Sequence, residues 1–114
     1  MRSALFLFLF IAWRSSAQQT SVLFLGNSYT TENDLPNTFR ELALSLGETV
    51  EVEMVAPGGF RLEQHFENQP TRDAIASRPW DVVVLQEQSQ IPSVDPSNTA
   101  LAVMLGSARL LVEM

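Results

Sequence analysis

The sequence predicts an α/β domain with a doubly wound parallel sheet, and three stretches support this prediction. Residues 22–25 are all apolar and residues 80–85 are rich in valine, as expected for strands inside a parallel sheet. Residues 49–55 alternate between apolar and acidic side chains, which is typical of a strand at or near a sheet edge. The strand order 2-1-3-4-5 accommodates the three as its first strands, with the second at the edge.

Helical signals follow each of the first two strands. Asn33 or Asp34 as N-cap, Pro36 in the first turn and Gly47 as a stop predict a helix after the first strand. Its apolar residues recur at helical spacing: Leu35, Phe39, Leu42, Ala43 and Leu46. Short helices are predicted over residues 62–66 and 71–76. This alternation of strands and helices is that of βαβ units.

The last segment predicts a helix that opens at Asp95-Pro96, a suitable N-cap and N1 pair. Apolar residues continue at helical spacing to Met114 with no stop signal. A three-stranded sheet that ends in such a helix leaves its third strand without the next neighbour. We therefore expect residues 18–114 to be the N-terminal part of a longer domain, truncated within this helix.

The N-terminus predicts export. Arg2 precedes an apolar run over residues 4–13, and small residues follow up to Ala17, where we expect cleavage. A membrane anchor is the alternative, but spanning a bilayer takes about 20 apolar residues. We expect a signal peptide over residues 1–17, a secreted or periplasmic protein and no stable membrane anchor.

Composition narrows the function classes. The chain of 114 residues has no cysteine, which excludes disulfides and thiolate chemistry, and its formal charge is −6. Removal of residues 1–17 takes away two arginines and makes the charge two units more negative. An acidic chain without lysine argues against nucleic acid and anionic membranes as partners. A neutral or cationic small substrate is compatible with it.

The turn after the first strand holds the candidate catalytic residue, Ser28. Gly26 allows a sharp turn, Asn27 tolerates unusual dihedral angles, and Ser28 follows at the carboxyl end of the strand. Loops at this end of a parallel sheet form its ligand crevice. The alternative is a polar loop whose hydroxyls only cap a helix.

Two further loops are predicted to reach the same crevice. Gly58-Gly59 follows the second strand, where glycines let backbone N–H groups approach a ligand, although a plain turn is an alternative. Gln86 and Gln88 follow the third strand, which lies beside the first in the predicted order.

Four other residues near this crevice have a simpler interpretation. We expect the one histidine, His65, to be a surface or packing residue, and Glu87 to be a solvated loop acid. Tyr29 and Phe60 either line a pocket or pack. Neither His65 nor its neighbours form a metal-ligand cluster in sequence, so no metal and no cofactor is expected.

Three blocks in order give the chain a resemblance to the SGNH hydrolase superfamily, the GDSL-like esterases and lipases. They are Gly26-Asn27-Ser28, Gly58-Gly59 and the run Leu85-Gln86-Glu87-Gln88-Ser89. The resemblance covers about residues 21–90 and matches the branch with a Gly-Asn-Ser start. It implies a flavodoxin-like doubly wound sheet of which only the first three strands are present.

The resemblance also implies the roles of the residues. Ser28 would be the nucleophile that attacks an acyl ester, on a small or carbohydrate-linked substrate. The N–H groups of Ser28 and Gly59 would form the oxyanion hole, with a side-chain amide from Gln86 or Gln88 where the family usually has asparagine. Asn27 stands where aspartate is commoner.

The resemblance further implies a base that this chain does not contain. Family members carry a histidine in an Asp-x-x-His block near the C-terminus, and His65 does not stand at that position. A serine without a base is a weak nucleophile, so we expect little or no turnover from the 114-residue chain. The alternative is a non-catalytic secreted module on the same fold that binds a carbohydrate or a phosphate-containing ligand.

Overall fold

The computed structural model describes residues 19–91, 95 and 97–114. The predicted signal peptide and its cleavage site at Ala17 lie outside the described residues, as does Pro96. The described part contains three strands, β1 (Thr20–Leu25), β2 (Val50–Val55) and β3 (Val82–Leu85). All pair in parallel, in the order β2-β1-β3. The predicted α/β class and the edge position of the second strand are confirmed.

β1 is the central strand of the sheet, with β2 on one side and β3 on the other, and both of its faces are buried. Its register pairs Thr20 with Val50 on one side and Val22 with Val82 on the other. The residues from Ser21 to Leu25 are all buried. This is the environment that a continuous apolar run predicts.

Six helical segments surround the sheet within the described residues. The first are α1 (Ser28–Thr31), a 3-10 turn (Glu32–Asp34) and α2 (Leu35–Ser45). The others are α3 (Leu62–Glu67), α4 (Gln69–Ala76) and α5 (Thr99–Val112). The helices predicted over residues 62–66 and 71–76 are thus present, the second of them starting two residues earlier.

The core lies between β1 and the helices α3 to α5. Leu23 and Leu25 point to this side and form one buried cluster with Leu62 of α3 and Leu111 of α5. The opposite face of β1 meets α2, where the rings of Phe24 and Phe39 pack edge to face with centroids 5.9 Å apart. Helices therefore cover both faces of the sheet.

A polar contact joins β1 to Asp81, the residue before β3, at the amino ends of the strands. Asp81 accepts hydrogen bonds from Ser21 N (2.7 Å) and from Ser21 Oγ (2.8 Å), and its own N–H donates to Ser21 Oγ. These bonds, the backbone one first, lower the pKa of Asp81, and Arg78 adds to the effect. The start of the sheet is thereby fixed away from the crevice.

The valine-rich third strand has the composition of an interior strand but lies at an edge, as expected of a three-stranded sheet that gives it no next neighbour. β3 is an edge of the sheet within the described residues, and Val82 and Val83 are 44% and 40% exposed. The apolar face of α2 is likewise only partly covered, since Leu42 and Leu46 are exposed while Pro36 is buried. Among the described residues, no further strand lies against β3.

One predicted helix start was wrong, and another was right in position but lacks the capping hydrogen bond. Asp95 does not cap the last helix, because its side chain accepts from the N–H and hydroxyl of Ser97 in a tight turn. Asn98 caps α5 instead by accepting from Ala100 N at 2.8 Å. Asp34 stands at the N-cap of α2 but in a left-handed conformation (φ 51°), and its side chain makes no capping hydrogen bond. The predicted stop at Gly47 is confirmed by its φ of +84°.

Within the described residues, no helix has the length and apolar character needed to cross a bilayer.

Candidate functional site

Three loops meet at the carboxyl ends of the strands. We call them the serine turn (residues 26–28), the glycine loop (56–61) and the glutamine loop (86–91). Asn27 Nδ2 donates to the carbonyl of Phe60 at 2.9 Å, which joins the serine turn to the glycine loop. Asn27 N donates to Gln86 Oε1 at 3.0 Å, which joins it to the glutamine loop. The loops predicted to share a crevice do lie together.

Asn27 is the centre of this network. It is only 1% exposed, and it uses its backbone N–H and both ends of its amide. Besides the two bonds above, its Oδ1 accepts from Tyr29 N at 3.1 Å and so caps α1. An aspartate here could not donate to the Phe60 carbonyl and would place a buried charge against it. An amide is therefore the side chain that this position requires.

The backbone of the serine turn is held at successive peptide groups. In the Leu25–Gly26 peptide, the carbonyl accepts from Gln86 N (2.8 Å) and the N–H donates to the Val55 carbonyl (3.1 Å). In the Gly26–Asn27 peptide, the N–H is bonded to Gln86 and the carbonyl to the imidazole of His65, at 2.7 Å. Both peptide groups are fixed at each end before the chain reaches Ser28.

Gly26 is required for reasons of space. A Cβ at this position would lie 2.2 Å from Thr30 Oγ1 and 2.6 Å from Gln86 Oε1. These two atoms are themselves joined by a 2.9 Å hydrogen bond, in which the Thr30 hydroxyl donates. Any side chain would displace this bond and with it the acceptor of Asn27 N.

Ser28 is the first residue of α1 and is exposed. Its hydroxyl and its N–H form no hydrogen bond with the described residues, whereas its carbonyl accepts from the Thr31 hydroxyl. Ser28 opens on a shallow depression of about 320 Å³ that Tyr29 and Glu32 also line. An exposed hydroxyl and an N–H without a partner among the described residues thus lie on one residue, and the backbone before it is fixed.

Gly59 supplies a second exposed backbone N–H. Its φ of +74° lies in the left-handed region that favours glycine, and a Cβ there would meet no atom within 4 Å. Its N–H forms no hydrogen bond with the described residues. Gly59 precedes Phe60, whose carbonyl is bound to Asn27, so the two free N–H groups come from residues on either side of one hydrogen bond.

Gln86 and Gln88 have different positions. Gln86 points into the serine turn, where Oε1 accepts from both Asn27 and Thr30, and its Nε2 donates to the Glu87 carbonyl. Its amide is committed to holding the turn. Gln88 Oε1 accepts from Gln90 N at 2.8 Å, within its own loop.

Glu87 is not the solvated acid that the sequence suggests. Its carboxylate accepts from Leu62 N, the first N–H of α3, at 3.2 Å and from Gln88 N at 2.6 Å. A carboxylate at a helix N-terminus is favoured by both the free N–H groups and the helix dipole. Glu87 therefore connects the glutamine loop to α3.

His65 is fully buried beneath the serine turn, so it is not the surface residue that was one of its two expected roles. Its Nε2 lies 2.7 Å from the Gly26 carbonyl and its Nδ1 lies 2.8 Å from Thr71 Oγ1. The Phe60 ring packs edge to face against it. Burial lowers the pKa of His65, and the Gly26 carbonyl and the Glu87 carboxylate oppose this more weakly. The imidazole is therefore neutral at neutral pH.

Thr30, Thr71 and Asn68 take part in this network although the sequence did not single them out as network members. Asn68 Nδ2 donates to Thr71 Oγ1 at 2.9 Å, next to the Nδ1 of His65. Thr30 and Thr71 are buried polar residues. The partner of Thr30, Gln86, is 56 residues away and gave no local signal, whereas Asn68 and His65 lie within six residues of Thr71. Among residues 19–91 and the described part of the C-terminal segment, no group of three or more acidic or histidine side chains could hold a metal ion.

None of the protein-family models, curated proteins or solved structures compared with the chain matches it. The chemical interpretation of the site therefore depends on its own geometry and on the three sequence blocks.

Proposed function

We propose that the chain carries the nucleophile and oxyanion-hole part of a serine esterase of SGNH hydrolase type. Ser28 is the nucleophile, and the N–H groups of Ser28 and Gly59 are the oxyanion donors. The substrate is a small or carbohydrate-linked ester, and the protein acts after export. The sheet is then the start of a flavodoxin-like, SGNH-type doubly wound fold.

The observation that carries this proposal is the free N–H of Ser28 on a turn whose preceding peptide groups are fixed. Oxyanion stabilisation depends on donors that are already oriented before charge develops, and one such donor contributes about 2.7–4 kcal/mol. A polar loop that only caps a helix would not need its two preceding peptide groups bound at both ends. Such a loop would also not need the second free N–H, that of Gly59, which the hydrogen bond between Asn27 and Phe60 links to the serine turn.

The reaction that this geometry fits is acyl transfer. The Ser28 oxygen attacks the ester carbonyl carbon and its proton passes to a base, while the carbonyl electron pair moves onto oxygen. The resulting oxyanion accepts from the two N–H groups. Collapse of the intermediate expels the alcohol, which takes a proton, and leaves an acyl-serine for water to hydrolyse.

The base is not among the described residues in contact with Ser28. His65 is the one histidine of the sequence, and both of its ring nitrogens are bound to other groups. The resemblance places the base in an Asp-x-x-His block. From the 114-residue chain we therefore expect slow acylation and little turnover.

The substrate class follows from what surrounds Ser28. Tyr29 is 63% exposed and lines the same depression as the Glu32 carboxylate. An aromatic face and a hydrogen-bond acceptor are groups that contact the ring and hydroxyls of a sugar. This favours a carbohydrate-linked ester over a purely aliphatic one.

Covalent labelling tests the proposal directly. The chain is treated with a fluorophosphonate, and the modified residue is mapped by peptide mass spectrometry in the wild type, Ser28→Ala and Ser45→Ala. Ser45 is the matched control because it is also an exposed serine on a helix, remote from the loops. We expect an adduct on Ser28 that persists in Ser45→Ala. No adduct on Ser28, or equal labelling of Ser45, would overturn the proposal.

Imidazole in solution tests whether the missing component is a base. With p-nitrophenyl acetate as acyl donor, imidazole can take the proton from the Ser28 hydroxyl. We expect it to accelerate acetylation of Ser28 in the wild type beyond its own background reaction, measured with Ser28→Ala. Equal rates for the two proteins would contradict the assigned nucleophile.

A further inference from the structure

His65 lies under the serine turn without touching Ser28, and the proposed acyl transfer does not use it. Its two ring nitrogens have partners whose chemistry differs. The Gly26 carbonyl can only accept, so Nε2 must carry the proton of that 2.7 Å contact. With one proton on the neutral ring, Nδ1 is an acceptor.

The Thr71 hydroxyl fits this arrangement. It lies 2.8 Å from Nδ1 and can donate its proton there, while its lone pair accepts from Asn68 Nδ2 at 2.9 Å. The order of donation therefore runs from Asn68 to Thr71, to His65 and finally to the Gly26 carbonyl. Each of these groups has a donor or acceptor that matches its partner, and Thr71 and His65 are fully buried.

We propose that His65 is the positioning residue of the serine turn, held in the Nε2–H tautomer by Thr71 so that it fixes the Gly26 carbonyl and thereby the orientation of Ser28. The catalytic consequence depends on the proposed esterase function, whereas the structural one does not. The Leu25–Gly26 and Gly26–Asn27 peptide groups make four hydrogen bonds. Two of these are to side chains, one from His65 to the Gly26 carbonyl and one from Asn27 N to Gln86.

Two variants of His65 separate a positioning role from packing. His65→Leu fills the site with an apolar side chain of similar size and removes the Nε2–H donor. His65→Gln also removes the ring that packs against Phe60, but it retains an amide N–H near the position of Nε2. If His65 only packs, leucine should replace it at least as well as glutamine does. If His65 positions the turn, leucine loses that role and glutamine restores it.

Amide hydrogen exchange measures the structural effect. The Thr30 and Thr31 N–H groups are bonded to the Asn27 carbonyl, and they report opening of the turn relative to amides of β1. We expect His65→Leu to speed their exchange about tenfold over β1, the factor for one lost buried hydrogen bond. His65→Gln should restore wild-type protection. Equal protection of the turn in all three proteins would overturn the proposal.

The ring itself provides a test that needs no His65 variant. A long-range proton–nitrogen spectrum of the wild-type imidazole should show the Nε2–H tautomer. Thr71→Val, which removes the hydroxyl, should produce a mixture of tautomers, and Thr71→Ser should not. An Nδ1–H tautomer in the wild type would overturn the proposal even if the His65 variants fail to fold.

The labelling rate of Ser28 connects the positioning to the chemistry. We expect His65→Leu to slow fluorophosphonate labelling by about tenfold to a hundredfold, because a small displacement of a reacting group has an effect of that size. His65→Gln should stay close to the wild-type rate. If Ser28 is not labelled in any of the proteins, the esterase proposal fails, and the exchange and tautomer results still decide the role of His65.

Discussion

Replacing Gln86 with methionine isolates the hydrogen bonds that hold the serine turn. The side chain keeps its length, but it loses the oxygen that accepts from Asn27 N at 3.0 Å and from the Thr30 hydroxyl at 2.9 Å. Asn27 and Thr30 are 1% and 2% exposed, so water does not replace the lost acceptor. An unsatisfied buried donor costs about 1–3 kcal/mol, and the Thr30 hydroxyl can rotate to relieve part of its own cost. We expect the free energy of unfolding to fall by about 2–4 kcal/mol.

Gln88→Met is the matched control for this change. Gln88 lies two residues away in the same loop, and within the described part of the chain its oxygen accepts only from the N–H of the exposed residue Gln90. Water can replace that bond, so the expected loss is below about 1 kcal/mol. The assay is urea unfolding followed by circular dichroism for both variants and the wild type. Equal losses in the two variants would refute the reasoning that Gln86 holds the turn.

Three other predictions use the same unfolding assay. Gly26→Ala should destabilise the protein by about 1–3 kcal/mol because its Cβ has no space. Gly106→Ala, in an open position of α5, should stabilise it by about 0.5–1 kcal/mol. A greater loss of stability in Gly106→Ala than in Gly26→Ala would contradict the packing at Gly26. Burial lowers the pKa of His65 from 6.5, so the unfolded chain takes up a proton first as the pH falls. Stability should therefore decline between pH 6.5 and the lowered pKa, and His65→Gln should remove this slope. The hydrogen bonds from Ser21 lower the pKa of Asp81 from 3.8, so its stabilising effect holds above pH 3.8 and is lost as the pH falls through the lowered pKa. Asp81→Asn should flatten that acid limb, and an unchanged limb would contradict the assigned role of the carboxylate.

The position of a strand in the sheet could be predicted where the pattern of apolar and polar side chains reflects it. Residues 22–25 are apolar at every position, and β1 is covered on both faces. The alternation of residues 50–55 predicts the edge position of β2 but not its burial, since Met54 on the apolar face is 40% exposed. The pattern of β3 resembles that of β1, yet β3 is an edge within the described residues. An apolar run indicates that a strand suits burial, but it does not show which neighbours cover it.

The site could be predicted only at the level of its loops. Strand order alone brings the serine turn beside the glutamine loop, so their proximity follows from topology. The hydrogen bonds do not follow from it. His65 bonds to Gly26, which is 39 residues away, and Glu87 bonds to Leu62, which is 25 residues away. No local pattern distinguishes these side chains from solvated loop residues.

The helix starts show a different limit. Asp95, Ser97 and Asn98 are all residues that favour N-caps, and they lie within four positions of one another. The structure resolves the competition in favour of Asn98, because Asp95 bonds to Ser97 in a turn that precedes the helix. Propensity locates such a boundary only to within a few residues.

A crystal structure of the chain after phosphonate treatment would test the central claim most directly. The account predicts phosphorus bonded to the Ser28 oxygen, with the phosphoryl oxygen about 2.7–3.1 Å from the backbone nitrogens of both Ser28 and Gly59. The Gly26 carbonyl should remain bound to His65. A phosphoryl oxygen that points to solvent, or an adduct on another residue, would contradict the assignment of this turn as a nucleophile with its oxyanion hole.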